Sequence, residues 1–152
     1  MKNYDELEVW HKAHSLTLQL YRETETFPRS EMFGLTSQIR RAAGSIGANL
    51  AEGCGRWNEV ELARYVQIAM GSASELQNHL RLARDLGFLD ESHYRSLLQA
   101  LIGIRQMLTA LLQTLRKTRN TPASPANGER RKANSEKRKA KSVIAKSEKV
   151  TL

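Results

Sequence analysis

Gln38-Ile39-Arg40-Arg41-Ala42-Ala43-Gly44-Ser45-Ile46-Gly47-Ala48-Asn49-Leu50-Ala51-Glu52-Gly53 is the most telling stretch of the chain. Ile39, Ala42, Ala43, Ile46 and Leu50 recur at three- and four-residue steps, the period of a helix with one apolar face. Gln38, Arg41, Ser45, Asn49 and Glu52 form a polar stripe beside that face. The remaining positions are dominated by glycine and alanine, which let a neighbouring helix come close. The stretch carries no nucleophile–base pair and no metal-ligand spacing. It points to a packed helical assembly rather than to an enzyme.

On either side of this stretch the same periodicity continues, and four helices are expected. The first covers about 5–26, with Leu7, Trp10, Ala13, Leu16 and Leu20 on one face, and it ends at Phe27-Pro28. The second covers about 31–54, its apolar face extended by Leu35, and Gly53 and Gly55 break it. The third covers about 59–86: Asn58 is its N-cap, Glu61 completes a box-like cap, and Trp57 can staple onto Leu62. Leu62, Tyr65/Val66, Ala69, Ala73, Leu76, Leu80 and Ala83 form its stripe, and Gly87 followed by Phe88 closes it. The fourth covers about 91–118, capped by Asp90, with Tyr94, Leu97/Leu98, Leu101, Ile104, Leu108, Leu111 and Leu115 facing inward. No strand-like alternation competes, and the connections are short. An all-α, antiparallel up-and-down four-helix bundle over 1–119 is the expected fold.

From Asn120 the composition changes. Thr121-Pro122-Ala123-Ser124-Pro125-Ala126-Asn127-Gly128 reads as a breaker-rich linker, and the rest is rich in Lys, Arg, Ser and Ala without an aromatic residue. Such a segment buries too little apolar surface to offset its ordering entropy, so 120–152 is expected to be a disordered basic tail, with a weak helix through 137–149 on binding. The net charge of +8 is concentrated there: residues 1–119 hold 15 Lys+Arg against 13 Asp+Glu, residues 120–152 hold 9 against 3. Arg130, Arg131, Lys132, Lys137, Arg138, Lys139 and Lys141 can neutralise phosphates with little sequence preference. A solvated solubility tail is the competing reading. In the body, Arg40, Arg41, Arg56, Arg64, Arg81 and Arg84 are the candidates for phosphate contact.

Other chemistry finds little support. Glu8-Val9-Trp10-His11 matches the Glu-x-x-His element of a di-iron bundle once, whereas Glu75 is followed by Asn78 rather than histidine. No metal, cofactor or catalytic residue is expected, and His11, His14, His79 and His93 are read as surface or edge residues. Cys54, the single cysteine, is read as structural, and its lack of a disulfide partner favours a reducing cytoplasm. No secretion signal opens the chain, and no apolar run reaches the roughly 20 residues of a membrane span, so no membrane partner is expected.

Two features of the small-residue helices call for partners. Glycine inside a helix costs about 0.5–1 kcal/mol relative to alanine. Close helix contact within the bundle is the expected compensation at Gly44, Gly47 and Gly71, with contact between subunits as the sharper alternative. Arg41, Asn49, Glu52 and Glu75 form a candidate structural polar network, in which Arg40 or Arg41 would pair with Glu52 or Glu75.

Three ordered blocks carry a family resemblance: Leu7-x-Val9-Trp10-x-Lys12-Ala13; Gly34-Leu35-Thr36-Ser37-Gln38-Ile39-Arg40-Arg41-Ala42-Ala43 with Ser45-Ile46 and Asn49-Leu50-Ala51-Glu52-Gly53; and Ile68-Ala69-x-Gly71-Ser72-x-Ser74-Glu75-Leu76 with Ala83-x-x-Leu86-Gly87. Over about 4–118 the chain resembles the bacterial four-helix-bundle proteins encoded in intervening sequences of 23S rRNA genes. The resemblance implies a ring-like homopentamer. It also implies kinship with the accessory protein of diversity-generating retroelements, which binds nucleic acid and a reverse transcriptase. The family often has proline where this chain has Gly47, and the tail after Asn120 is outside its pattern. The resulting expectation is a non-enzymatic, self-assembling bundle that binds RNA or other nucleic acid. The alternative is an oligomeric scaffold for a protein such as a reverse transcriptase.

Overall fold

The computed structural model describes residues 2–120 and 134–141. The chain divides into two units, 1–119 and 120–152. The first holds four helices: α1 (Glu8–Glu23), α2 (Leu35–Cys54), α3 (Glu59–Asp85) and α4 (Glu91–Asn120). Within the first unit, contacts between neighbouring helices fix an up-down-up-down course. Early α2 meets late α1 through Arg40 and Thr24, and late α2 meets early α3 through Glu52 and Tyr65. Late α3 meets early α4 through Arg84 and Glu91.

The apolar stripes form the core. Ala13, Leu16 and Leu20 of α1, the whole predicted face of α2, and Leu62, Val66, Ala69, Ala73, Leu76, Leu80 and Ala83 of α3 are buried. On α4 the stripe runs through Leu112, with Leu111 only partly covered. Val9, absent from the expected face of α1, is buried as well, while Leu7 and Trp10 pack against the core from its edge.

Caps account for the helix ends. Asn58 accepts a hydrogen bond from the Glu61 amide at 2.8 Å and Asp90 from the His93 amide at 2.8 Å, satisfying first-turn donors of α3 and α4. Gly87 has φ +78°, a left-handed backbone that favours glycine. Around it the Phe88 amide donates to Ala83 O and the Gly87 amide to Arg84 O, both at 2.9 Å, which closes α3 in a Schellman turn. Phe88 then folds back to meet Phe27 at 5.7 Å between ring centroids.

Several expectations are corrected. The first helix is preceded by a 3-10 turn at Tyr4–Glu6 and begins at Glu8, because Leu7 is extended. A 3-10 turn at Arg29–Glu31 precedes α2, and the Glu31 carboxylate accepts from the Leu35 amide at 2.9 Å, so that helix starts at Leu35. Gly53 lies inside α2 rather than ending it; the helix stops at Cys54, with Gly55 in ordinary right-handed geometry. Trp57 does not staple onto Leu62: its side chain is 92% exposed. The end of α2 already covers Leu62, whose Cδ1 lies 3.0 Å from where a Cβ on Gly53 would stand. A Cβ at Gly44 or Gly71 would meet nothing within 4 Å, so close packing inside the bundle does not explain those two glycines. At Gly47 it would touch the Trp10 indole at 3.5 Å, an ordinary contact, and α2 runs through that position unbroken.

In the second unit, residues 134–141 are helical, overlapping the start of the 137–149 stretch for which a weak helix on binding was expected. Ala, Lys, Arg and Glu favour the helix intrinsically, while two turns without an apolar face are marginal in water until a partner adds to them. The linker expected at 121–128 and the disorder expected for the remaining tail lie outside the described residues.

Candidate nucleic-acid interface

The α2–α3 seam is assembled from residues that pair in antiparallel register. At its centre the Ser45 and Ser72 hydroxyls hydrogen-bond at 2.9 Å, and Asn49 Nδ2 donates to Ser45 O at 2.8 Å and Ser45 Oγ at 3.0 Å. Toward one end Arg41 lies 3.6 Å from Glu75, which also meets His79 Nε2 at 3.3 Å. Toward the other, Arg56 pairs with Glu52 and donates to the Tyr65 hydroxyl at 2.7 Å. The predicted polar network is thus three separate clusters. Arg41 and Glu75 pair as expected, but their side chains are 76% and 45% exposed, and such a pair is worth at most about 1 kcal/mol.

Arg40 takes no part in this seam. It turns to α1, where Nε donates to Thr24 Oγ1 at 2.9 Å and Nη2 to Tyr21 O at 3.2 Å, with the guanidinium 4.6 Å from the Tyr21 ring centroid. A guanidinium at the C-terminal carbonyls of α1 complements the negative end of that helix. Arg84 is similarly engaged: it pairs with Asp85 at 2.9 Å and lies 4.3 Å from the Tyr94 ring centroid. These two candidates tie elements of the bundle together. Arg64, 69% exposed and 3.7 Å from Glu61, and Arg81, exposed and without an ion-pair partner among the described residues, remain open to solvent.

The six body arginines do not converge on one face. Arg40, Arg41, Arg81 and Arg84 belong to the end where α2 begins and α3 finishes, Arg56 and Arg64 to the opposite end. Arg64 and Arg81 are separated by 17 residues of α3, about 25 Å of helix rise. Lys137, Arg138, Lys139 and Lys141 lie on the helical segment 134–141 and are exposed, whereas Arg130, Arg131 and Lys132 lie outside the described residues.

Some site features were missed in the sequence. Gln77 accepts from Arg105 of α4 at 2.5 Å, although nothing in the sequence pairs two residues on different helices. His79, expected at a surface or edge, is nearly covered, and its Nδ1 is buried without a hydrogen-bond partner. Cys54, read as structural, is buried; burial pushes its thiol pKa up, partly countered by Lys2. Between α1 and α4 runs an open groove of about 980 Å³, lined by the buried Leu16 and Ile104, the partly buried Met107, and Gln19, Gln99 and Gln106. No group of three or more metal-ligating side chains occurs among the described residues, and none of their helices is long and apolar enough to cross a membrane.

Residues 5–110 match the family of the 23S rRNA-intervening sequence protein. Among solved structures the chain is similar to a protein of unknown function from the S23 ribosomal protein family of Bacteroides thetaiotaomicron VPI-5482. The two share 21% identity over 69% of this chain and 95% of that one, with a TM-score of 0.64. That likeness establishes the fold alone. No curated protein matches the chain.

Proposed function

The chain belongs to the 23S rRNA-intervening sequence protein family, and on that premise we propose that it is a non-enzymatic, self-assembling bundle that binds RNA. The observation that carries the reading is the exposed cationic run Lys137, Arg138, Lys139 and Lys141 within a segment of 9 Lys+Arg against 3 Asp+Glu. Cations so placed gain affinity for a polyphosphate by releasing its counterions. In the body, Arg41, Arg64 and Arg81 are the candidates open to solvent. Gly44 and Gly71, which lack an intrachain neighbour, support contact between copies, and assembly would gather several tails and raise their effective concentration.

The test is a salt titration of RNA binding by the full chain and by the Lys137/Arg138/Lys139/Lys141→Ala variant. The variant is expected to bind more weakly to every sequence. Its log–log salt slope should be smaller by about 0.7 for each single-strand phosphate that it no longer neutralises. An unchanged slope would remove the tail from the site. Absence of binding by the full chain at low salt would overturn the reading. Light scattering against the 17.2 kDa chain mass tests the pentamer that the family resemblance implies.

A second reading, a scaffold for a protein partner, draws on the α1–α4 groove. Its apolar floor and its glutamines suit a helix more than a phosphate backbone. A reverse transcriptase would be such a partner.

A further inference from the structure

Trp57 is the least explained side chain of the α2–α3 connection. Its indole is 92% exposed and makes no ring contact, cation–π contact or hydrogen bond among the described residues. It fills no gap in the core, because α2 itself covers Leu62. Its surroundings carry both signs, with Arg56 paired to Glu52 and Lys2 paired to Glu59. Arg56 and Lys2 border the same small cleft, and Glu59 joins that cleft to a second one of about 310 Å³ between the start of α3 and the end of α4. The second cleft has Ala63, Leu112 and Leu115 as an apolar floor and Arg64 and Arg116 at its sides. Lys2 pairs with Glu59 at 3.4 Å and Arg64 with Glu61 at 3.7 Å, but both pairs are solvent-exposed and exchange readily for phosphate. Arg116 has no carboxylate partner among the described residues.

We propose that this end of the bundle is a single-stranded RNA site: one base stacks on the Trp57 indole, and the neighbouring nucleotide enters the α3–α4 cleft between Arg64 and Arg116. The proposal rests on the RNA-binding reading above and deepens it. Duplex RNA hides its base faces and has a deep, narrow major groove that side chains cannot read, whereas single strands offer bases to aromatic and guanidinium planes. An arginine-flanked slot with an apolar floor suits a base and its phosphates together. A protein partner is less well served, because Trp57 and Val60 are the large exposed apolar residues beside these clefts, whose lining holds four cations, Lys2, Arg56, Arg64 and Arg116, against the one carboxylate Glu59.

The experiment titrates the full chain with a single-stranded oligouridylate and with an RNA duplex of equal length, following tryptophan emission. The chain has two tryptophans; Trp10 is stacked on His14 at 5.0 Å, so Trp57 is the one free to respond. Oligouridylate is expected to quench the emission and to bind more tightly than the duplex. Trp57→Ala should weaken its binding roughly 5- to 150-fold with no change in salt slope, since stacking releases no counterion. Trp57→Phe should recover most of that affinity. Arg116→Ala should lower the slope by about 0.7. If wild type binds oligouridylate and Trp57→Ala binds it equally well, this site is wrong while the RNA reading stands. If wild type binds no RNA, both fall. A blue shift of emission with protein concentration in the absence of RNA would show a second copy covering the indole and would also overturn the site.

Discussion

Gly53→Ala is the sharpest perturbation of the fold. A Cβ at Gly53 would stand 2.8 Å from Tyr65 Cβ and 3.0 Å from Leu62 Cδ1. Tyr65 Cβ is fixed to the backbone of α3 and cannot rotate away, so α2 and α3 must separate at this end. Overpacking of this kind costs about 1–3 kcal/mol. Alanine returns about 1 kcal/mol of helix propensity, which leaves a net destabilisation of about 0–2 kcal/mol. Gly103→Ala, inside α4, is the matched control: it has the same kind of propensity gain and nothing within 4 Å. It should stabilise the chain by about 0.5–1 kcal/mol. Urea unfolding followed by circular dichroism, at one fixed protein concentration, reads both. With an m-value of about 2 kcal/mol/M, Gly53→Ala should lower the midpoint by up to about 1 M and Gly103→Ala should raise it by about 0.3–0.5 M. Gly53→Ala that stabilises the chain as much as Gly103→Ala would refute the close approach of α2 to α3.

Arg40→Ala removes two hydrogen bonds and a ring contact at the end of α1, so it should destabilise the bundle by about 1 kcal/mol while leaving the salt slope of RNA binding unchanged; a fall in slope at wild-type stability would restore Arg40 as a phosphate contact. The His93 imidazole is held above its ordinary pKa of 6.5, chiefly by its hydrogen bond to Asp90 at 2.5 Å and the Asp90 charge, and Asp90 is held below the usual carboxylate value by donors from His93. The stabilisation this pair gives is complete below the histidine's unfolded value and is lost as pH rises through the raised folded one. On the acid side it is lost as pH falls through the lowered value of Asp90. An NMR titration should place His93 above 6.5 and return it toward that value in Asp90→Asn; a His93 pKa at or below 6.5 in the wild type would dismiss the pairing.

Much of this protein was legible in its sequence, because helical periodicity is a local property. The buried face of α2 from Leu35 to Leu50, the caps Asn58 and Asp90, and the Gly87–Phe88 closure each depend on residues a few positions apart. The side chains that reach between helices were not legible in the same way. Arg40 and Arg41 are adjacent in sequence, yet one turns to α1 and the other to α3, because successive residues point about 100° apart around a helix. The same arginine type therefore became a tie between helices in one case and an exposed cation in the other. Trp57 had the spacing of a staple, but α2 had already occupied the space over Leu62. Gly44, Gly47 and Gly53 carry the same symbol and meet open space, an indole edge and a tyrosine Cβ respectively. Composition and short-range spacing were enough to set the helices, their apolar faces and the accumulation of charge after Asn120. Which small residues are needed for close packing, which arginines are engaged and why Trp57 stays exposed became visible once the helices were packed together. Those outcomes depend on distances between helices, which no single helix encodes.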